Sequence, residues 1–156
     1  MIDERAGGAS RGPLGRQPRG VSIAVDTSSL VAIVLGEPDH ERHLRRLKES
    51  AKVLISTVSV VEAKMVVYGR RGAPGVALLD SLLRLPVFEQ VAPDADTSLI
   101  AYEAFVAFGK GTGHPAGLNF GDVFAHALAR SRSVPLLFKG NDFSQTDIEP
   151  ALSHDA

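Results

Sequence analysis

The sequence has 156 residues, 44% of them apolar, and a formal net charge of −1; this length favours one domain, and this charge excludes nucleic-acid binding through overall positive charge. The absence of cysteine excludes disulfide bonds, thiolate zinc sites and a catalytic cysteine. No apolar run approaches the roughly 18 residues of a membrane-spanning helix and no apolar signal segment follows the N-terminus, so we expect a cytoplasmic protein.

The N-terminal segment, residues 1–20, is rich in glycine, arginine and proline and contains almost nothing to bury. We predict that it is disordered, that one domain covers residues 21–152, and that residues 153–156 form a short second tail. Two alternatives for the first tail stay open: a basic arm that contacts RNA, and an extension of the gene model with translation starting at Val21.

After this tail, short apolar runs alternate with longer amphipathic segments. Runs without polar alternation are typical of strands buried on both faces of a parallel sheet, so we predict a three-layer α/β/α fold around a central, mainly parallel sheet. Strands are predicted at residues 23–25, 53–55, 87–91 and 135–138. Helices are predicted at residues 30–35, 39–50, 58–71 with an end near Gly69 and Gly72, 75–85, 94–108 and 119–131, with a loop at 109–117.

Acidic residues occur where these strands end and where helices begin. Asp26 directly follows the first strand, Asn141 and Asp142 follow the last, and Glu62 and Asp122 lie in the first turns of apolar helices. Ligands of parallel sheets bind at the carboxyl ends of the strands. Acids gathered there repel one another unless a cation neutralises them, and all-oxygen ligands favour Mg²⁺ or Mn²⁺ over zinc.

Each acid taken alone also has an ordinary structural explanation, which stays open. The structural alternatives are an Asx turn of Asp26 with Thr27 and Ser28, a capping box between Ser59 and Glu62, and helix-dipole stabilisation by Asp122 with Asn119 as the cap.

Three segments, IAVDTSSLVAIVLGEPD, LISTVSVVEAKMVV and HPAGLNFGDVFAHALARSRSVPLLFKGNDFSQTDIEP, resemble the PIN-domain ribonucleases of the VapC toxin family. The resemblance covers residues 22 to about 150, and the ordered set D-T-S, V-E-A, N-F-G-D and L-L-F-K-G-x-D-F makes it specific. It implies a PIN-like fold and a Mg²⁺-dependent endoribonuclease, with Mn²⁺ as a substitute ion. It also implies a homodimer that a cognate antitoxin holds inactive.

The resemblance places the family's metal-binding and catalytic acids on Asp26, Glu62 and Asp122. At the fourth position many relatives have T-G-D or G-D-D, whereas this chain has Asn141 followed by Asp142. Either Asp142 supplies the fourth carboxylate, or Asn141 supplies a neutral oxygen and the site carries one charge fewer. The residues expected at the edge of the site are Thr27, Ser28, Asn119 and Asn141.

Other functions remain alternatives. A catalytically weak or inactive PIN-like module that binds RNA or a protein partner is the main one, and a DNA-directed nuclease is the other. We predict packing or surface positions for His114 and His126. The remaining candidate contacts are Lys139 and Arg70–Arg71 for RNA phosphates, and the helices at residues 58–68 and 75–85 for a protein partner.

Overall fold

A computed structural model describes residues 20–153 of the chain. The predictions for the two tails therefore lie almost entirely outside the described residues. Within this range the four predicted strands are present, although the last is shorter than predicted. They are β1 (Ile23–Val25), β2 (Val53–Ser56), β3 (Phe88–Val91) and β4 (Leu136–Leu137).

The four strands form one parallel sheet in the order β3-β2-β1-β4. In its register Ile23 pairs with Val53 and Ala24 with Leu136. The helices that connect the strands are α1 (Thr27–Leu35), α2 (His40–Lys48), α3 (Thr57–Leu83), α4 (Ala95–Phe108) and α5 (Phe120–Arg132), and a short 3₁₀ turn covers Phe143–Gln145.

The sheet has a core on each face, because successive side chains of a strand point to opposite sides. Ala24 points towards the core made with α4 and α5. Its neighbours Ile23 and Val25 point towards the core made with α1, α2 and α3. The predicted three-layer α/β/α fold with a parallel sheet is therefore confirmed.

Helix α3 consists of the two predicted helices, which follow one another across a kink at Gly72. It runs from Thr57 to Leu83, and the backbone leaves helical geometry at Gly72, where φ is 63° and ψ is −160°. A residue with a side chain rarely adopts this conformation, so Gly72 permits the break. The break at Gly72 is as predicted, whereas the predicted end near Gly69 is wrong because Gly69 continues the helix.

The described helices can be compared with the expectation that no segment of the sequence is a membrane-spanning helix. Across residues 20–153 no helix combines the length and the apolarity that crossing a bilayer requires.

Candidate active site

The segments that follow the carboxyl ends of β1 and β4, together with α3 and the N-terminal turn of α5, surround a cavity of about 390 Å³. The predicted acids come from four parts of the chain: the end of β1, helix α3 after β2, helix α5 and the segment after β4. The sheet order brings them together because β1 lies between β2 and β4. The four predicted acids all line this acid cavity: Asp26, Glu62, Asp122 and Asp142.

Asp26 is the N-cap of α1 and is almost completely buried, with 3% of its surface exposed. Its Oδ2 accepts hydrogen bonds from the backbone N–H of Ser28, at 3.0 Å, and from the Ser28 hydroxyl, at 2.6 Å. Its Oδ1 is buried and has no hydrogen-bond partner. The Asx-type explanation is therefore correct for one oxygen, while the other is free to act as a ligand.

The electrostatic state of Asp26 follows from this environment. Burial, with a further contribution from the nearby carboxylate of Glu62, raises the pKa of Asp26 to about 6. The hydrogen bonds from Ser28 act in the opposite direction and keep the pKa from rising further.

Ser28 holds Asp26 in place through a short hydrogen-bonded chain. The backbone N–H of Lys139, just beyond β4, donates to Ser28 Oγ at 2.9 Å, and the Ser28 hydroxyl donates to Asp26. The residue predicted at the edge of the site thus connects the ends of two neighbouring strands and orients the buried acid.

The sequence predicted Glu62 in the first turn of its helix, but it lies in the second turn of α3. The N-cap of α3 is Ser56, whose side chain accepts from the Val58 N–H at 3.2 Å. The capping box between Ser59 and Glu62 is therefore wrong, since the helix begins three residues earlier. Without that structural role, Glu62 faces the cavity at half-burial.

The Glu62 carboxylate packs directly on the backbone of α5 at Gly121. A Cβ atom at Gly121 would overlap both carboxylate oxygens of Glu62. A side chain at this position would therefore displace the Glu62 carboxylate, so Gly121 leaves the space that Glu62 occupies beside the N-terminal turn of α5. The role of Gly121 was not predicted.

Asp122 takes part in a capping box and also lines the cavity. Its Oδ2 accepts from the Asn119 N–H at 2.9 Å, and Asn119 Oδ1 accepts from the Asp122 N–H at 2.9 Å. Burial raises the pKa of Asp122 to about 7, with further increases from Asp26, Glu62 and Asp142. The cap explains where Asp122 lies, but it does not neutralise the surrounding charges.

The two candidates for the fourth position face different cavities. Asp142 lines the acid cavity. Asn141 lines a neighbouring polar cavity together with Arg42 and His43. Of these two residues, the carboxylate and not the amide shares the acid cavity with Asp122.

The remaining edge residues both line the cavity but have structural bonds of their own. The Thr27 hydroxyl donates to the Ser59 carbonyl at 3.1 Å and so joins α1 to α3. Asn119 is exposed and uses its side-chain oxygen for the cap of α5.

The acids present a hard, all-oxygen donor set with one orphaned buried oxygen, which fits Mg²⁺ or Mn²⁺ in chemistry. They are not yet arranged as metal ligands: residues 20–153 contain no group of three Asp, Glu or His side chains that could hold an ion as they stand. Mg²⁺ usually keeps several waters and binds one or two carboxylates, so the donor set remains suitable.

Glu37 also lines the cavity and was missed by sequence analysis. It accepts a hydrogen bond from Lys139 Nζ at 2.6 Å, across 102 positions of sequence. The sequence G-E-P after α1 indicates that a helix ends at this place. It does not indicate that Glu37 pairs with Lys139.

The two histidines occupy other places, as predicted. His114 accepts a hydrogen bond from the Ala116 N–H at 3.1 Å and packs edge-on against Phe108. His126 is buried and its Nε2 lies 2.9 Å from Asp147 Oδ1. Neither lines the acid cavity.

The fold and the cavity thus define a class: an α/β domain with acids gathered at the carboxyl ends of its parallel strands. The PIN domain family matches residues 23–149. Ribonuclease VapC30 of Mycobacterium tuberculosis is 43% identical over 126 residues, 81% of this chain and 95% of VapC30. Ribonuclease VapC42 of the same organism is 41% identical over 130 residues, 83% of this chain and 98% of VapC42. The chain belongs to the PIN-domain family, among the VapC ribonucleases.

Solved structures show the same fold at lower sequence identity. VapC20 of Mycobacterium tuberculosis, described as a sarcin-ricin loop cleaving toxin, superposes with a TM-score of 0.68 at 22% identity, over 81% of this chain and 95% of VapC20. A chain of VapBC2 from Rickettsia felis, solved with promoter DNA, gives 0.64 at 16% identity, over 83% of this chain and 96% of that one.

Proposed function

We propose that this chain is a divalent-metal-dependent endoribonuclease and the toxin of a toxin–antitoxin pair. The observation that carries the proposal is the acid cavity, in which four carboxylates meet and one buried Asp26 oxygen has no partner. Membership among the VapC ribonucleases supports RNA as the substrate, and PIN-domain ribonucleases of this kind generally depend on a divalent metal.

In this proposal Asp26, Glu62, Asp122 and Asp142 hold Mg²⁺, for which Mn²⁺ substitutes. When bound, such an ion acidifies water for attack on phosphorus and offsets negative charge on the phosphate. Asp26 and Asp122 bind it as carboxylates, so protons leave the site as the ion enters. Ser28 keeps Asp26 oriented, and the Gly121 contact keeps Glu62 beside Asp122.

The test is cleavage by the purified protein of single-stranded RNA, structured RNA and DNA of the same sequence, with Mg²⁺, with Mn²⁺ and with EDTA. We expect RNA fragments in both metal ions and none in EDTA, with the DNA intact. Undiminished cleavage in EDTA contradicts the metal-dependent mechanism, cleavage of the DNA identifies a DNA-directed nuclease, and intact RNA under every condition contradicts the enzyme assignment.

A second candidate, a PIN-like module that binds RNA or protein without cleaving, is favoured by one observation. The chain has Asn141 where an aspartate is frequent in the family that it resembles, which would leave the site with one charge fewer. Binding of labelled RNA with Mg²⁺ present, without fragments, identifies this function in the same experiment.

The proposed partner is an antitoxin encoded beside the gene; a chain of a toxin–antitoxin complex from Klebsiella pneumoniae has the same fold, which supports a partner of this kind. A homodimer and a cytoplasmic location complete the proposal. Exposed apolar side chains on α3 supply candidate contact area; they are Val61, Met65, Tyr68 and Leu78. A small reading frame immediately upstream, and inhibition by its purified product, are the results that support the partner.

A further inference from the structure

The wall of the acid cavity contains five carboxylates, the four predicted acids and Glu37, but among residues 20–153 its lining has a single cationic side chain, Lys139. A cavity with this balance repels the phosphates of an RNA chain. The position of the one ammonium group therefore matters for the substrate.

Lys139 is held by two hydrogen bonds, one from its backbone and one from the end of its side chain. Its backbone N–H donates to Ser28 Oγ at 2.9 Å, beside Asp26. Its Nζ donates to Glu37 Oε2 at 2.6 Å, and each of the two side chains is 30% exposed. The ammonium group is thus held at the cavity wall without being withdrawn from solvent.

The backbone of Glu37 is held by the end of α1. Glu37 follows Gly36, which ends α1 in the left-handed conformation with φ of 66°, and the Glu37 N–H donates to the Ala32 carbonyl at 2.9 Å. The carboxylate that positions Lys139 therefore projects from the end of the same helix that Asp26 begins.

Stability alone is a weak reason for this ion pair. Partly exposed pairs contribute little to folding, and the chain has such a pair elsewhere, between Lys52 and Glu89 at 3.0 Å. An ammonium group has three N–H donors, and Glu37 accepts from one. Without Glu37, the other charged side chains that line the cavity with Lys139 are the carboxylates that the metal needs.

We infer that Lys139 binds a non-bridging phosphate oxygen of the RNA, and that Glu37 is a positioning residue that keeps the ammonium group off the metal-binding acids. The inference rests on the proposed ribonuclease function and assigns within it the phosphate contact. Glu37 acts through Lys139 and touches neither RNA nor metal.

The first test is Lys139→Met, assayed for KM and kcat on single-stranded RNA in Mg²⁺. We expect kcat/KM to fall roughly 10- to 100-fold, mainly through KM, as the loss of one charged hydrogen bond implies. Lys139→Arg retains the charge and stays within several-fold of the wild type. Lys139→Gln serves in place of the methionine variant if that variant fails to fold.

The second test separates this role from a purely structural ion pair. Mn²⁺ binding, followed by electron paramagnetic resonance without RNA, weakens in Glu37→Gln because the released ammonium group competes for the acids. In Lys139→Met the same binding is unchanged or tighter. A structural pair predicts equal losses of Tm in the two variants with no change in Mn²⁺ binding or KM.

The matched controls are Lys52→Met and Glu89→Gln, which remove the distant ion pair and are expected to change neither KM nor Mn²⁺ binding. A Lys139→Met variant with wild-type KM, or equal Mn²⁺ affinities in Lys139→Met and Glu37→Gln, overturns the inference while the wild type still cleaves RNA. A wild type that cleaves no RNA overturns the proposed function, and the inference with it.

Discussion

Two carboxylates lie towards opposite ends of α5, one among other acids and the other beside basic side chains. Asp122, in the first turn, is 8% exposed and has a pKa raised to about 7 by burial and by the acids around it. Asp147 lies against the middle and the last turn of α5, where His126 Nε2 and Arg130 Nη1 are 2.9 and 2.6 Å from its oxygens. Its partial burial works in the other direction, but these partners lower its pKa overall.

The difference shows which of the two clusters has its negative charge balanced by side chains of the same chain. The Asp147 cluster has its own cation, Arg130, together with His126, and it attaches the segment after β4 to α5. The acid cavity has carboxylates in excess, and its charges are satisfied by a cation from solution or by protons. Unfavourable electrostatics persist in a folded protein mostly where function uses them.

The largest expected effect comes from removing the buried acid of the cavity. Asp26→Asn keeps the size and the cap but loses the charge, so we expect RNA cleavage to fall more than about 100-fold, beyond the cost of disturbing a group that only supports a ligand. Cleavage of labelled RNA and circular dichroism measure activity and fold.

Asp26→Asn also tests whether the carboxylates of the metal-free acid cavity repel one another. Because Asp26 is crowded by Glu62 and Asp122, its neutralisation is expected to leave the metal-free protein as stable as the wild type near pH 8, or more stable. A folded Asp26→Asn protein with full activity contradicts the metal site.

A second large effect is expected at Gly121, where a side chain would displace Glu62. Gly121→Ala should reduce kcat/KM roughly 10- to 100-fold, the range for a residue that orients a ligand. Gly69→Ala is the matched control, since a Cβ there meets nothing within 4 Å and the helix gains up to about 1 kcal/mol. Equal activity of the two alanine variants contradicts the positioning role.

These residues also show what sequence reasoning reaches. The position of Asp26 follows from a local pattern, because a buried strand followed by a capping residue fixes both the strand end and the sheet edge. Asp122 follows from Asn119 in the same way. In both cases the cap that is observed and the metal-binding role that we propose are compatible, since a cap position at this edge also lines the cavity.

The rest depends on contacts between distant segments or on register. The pairing of Glu37 with Lys139 and the contact of Glu62 with Gly121 leave no periodic pattern in the sequence. Asn141 and Asp142 are neighbours whose side chains face different cavities, so a shift of one residue changes which of them belongs to the site. The sequence alone left that choice open.

An effect of intermediate size is expected on the thermal stability of the protein, which should depend both on pH and on bound metal. The pKa values of Asp26 and Asp122 are raised from 3.8 to about 6 and about 7, so the folded protein holds protons that the unfolded chain has released. The metal-free protein is therefore most stable below about pH 4 with respect to these groups, and it loses that contribution as the pH rises to about 7.

Mg²⁺ binds the ionised carboxylates and reverses this loss. We expect Mg²⁺ to raise Tm by several degrees at about pH 8 and by very little at about pH 5, because at the lower pH the ion competes with protons. Thermal unfolding with and without Mg²⁺ at the two pH values measures the difference. An equal shift at both pH values argues against binding at these acids.

The smallest effect is expected in the complete cluster at the other end of α5. Asp147→Asn removes the charged partner of His126 and Arg130, and Asp147 is about half exposed, with 47% of its side chain accessible. We therefore expect a loss of only about 1 kcal/mol at neutral pH, with RNA cleavage unchanged. Chemical denaturation and the cleavage assay measure the two quantities.

The pH dependence of that loss has the sign opposite to that of the acid cavity. The pKa of Asp147 is lowered, so its contribution to stability is present above the unfolded value, near pH 4, and disappears as the pH falls through the folded value. The difference in stability between wild type and Asp147→Asn should accordingly shrink on acidification, whereas the metal-free acid cavity becomes more favourable. A variant that loses RNA cleavage while keeping its stability would contradict the assignment of Asp147 to the fold and would extend the active site along the whole of α5.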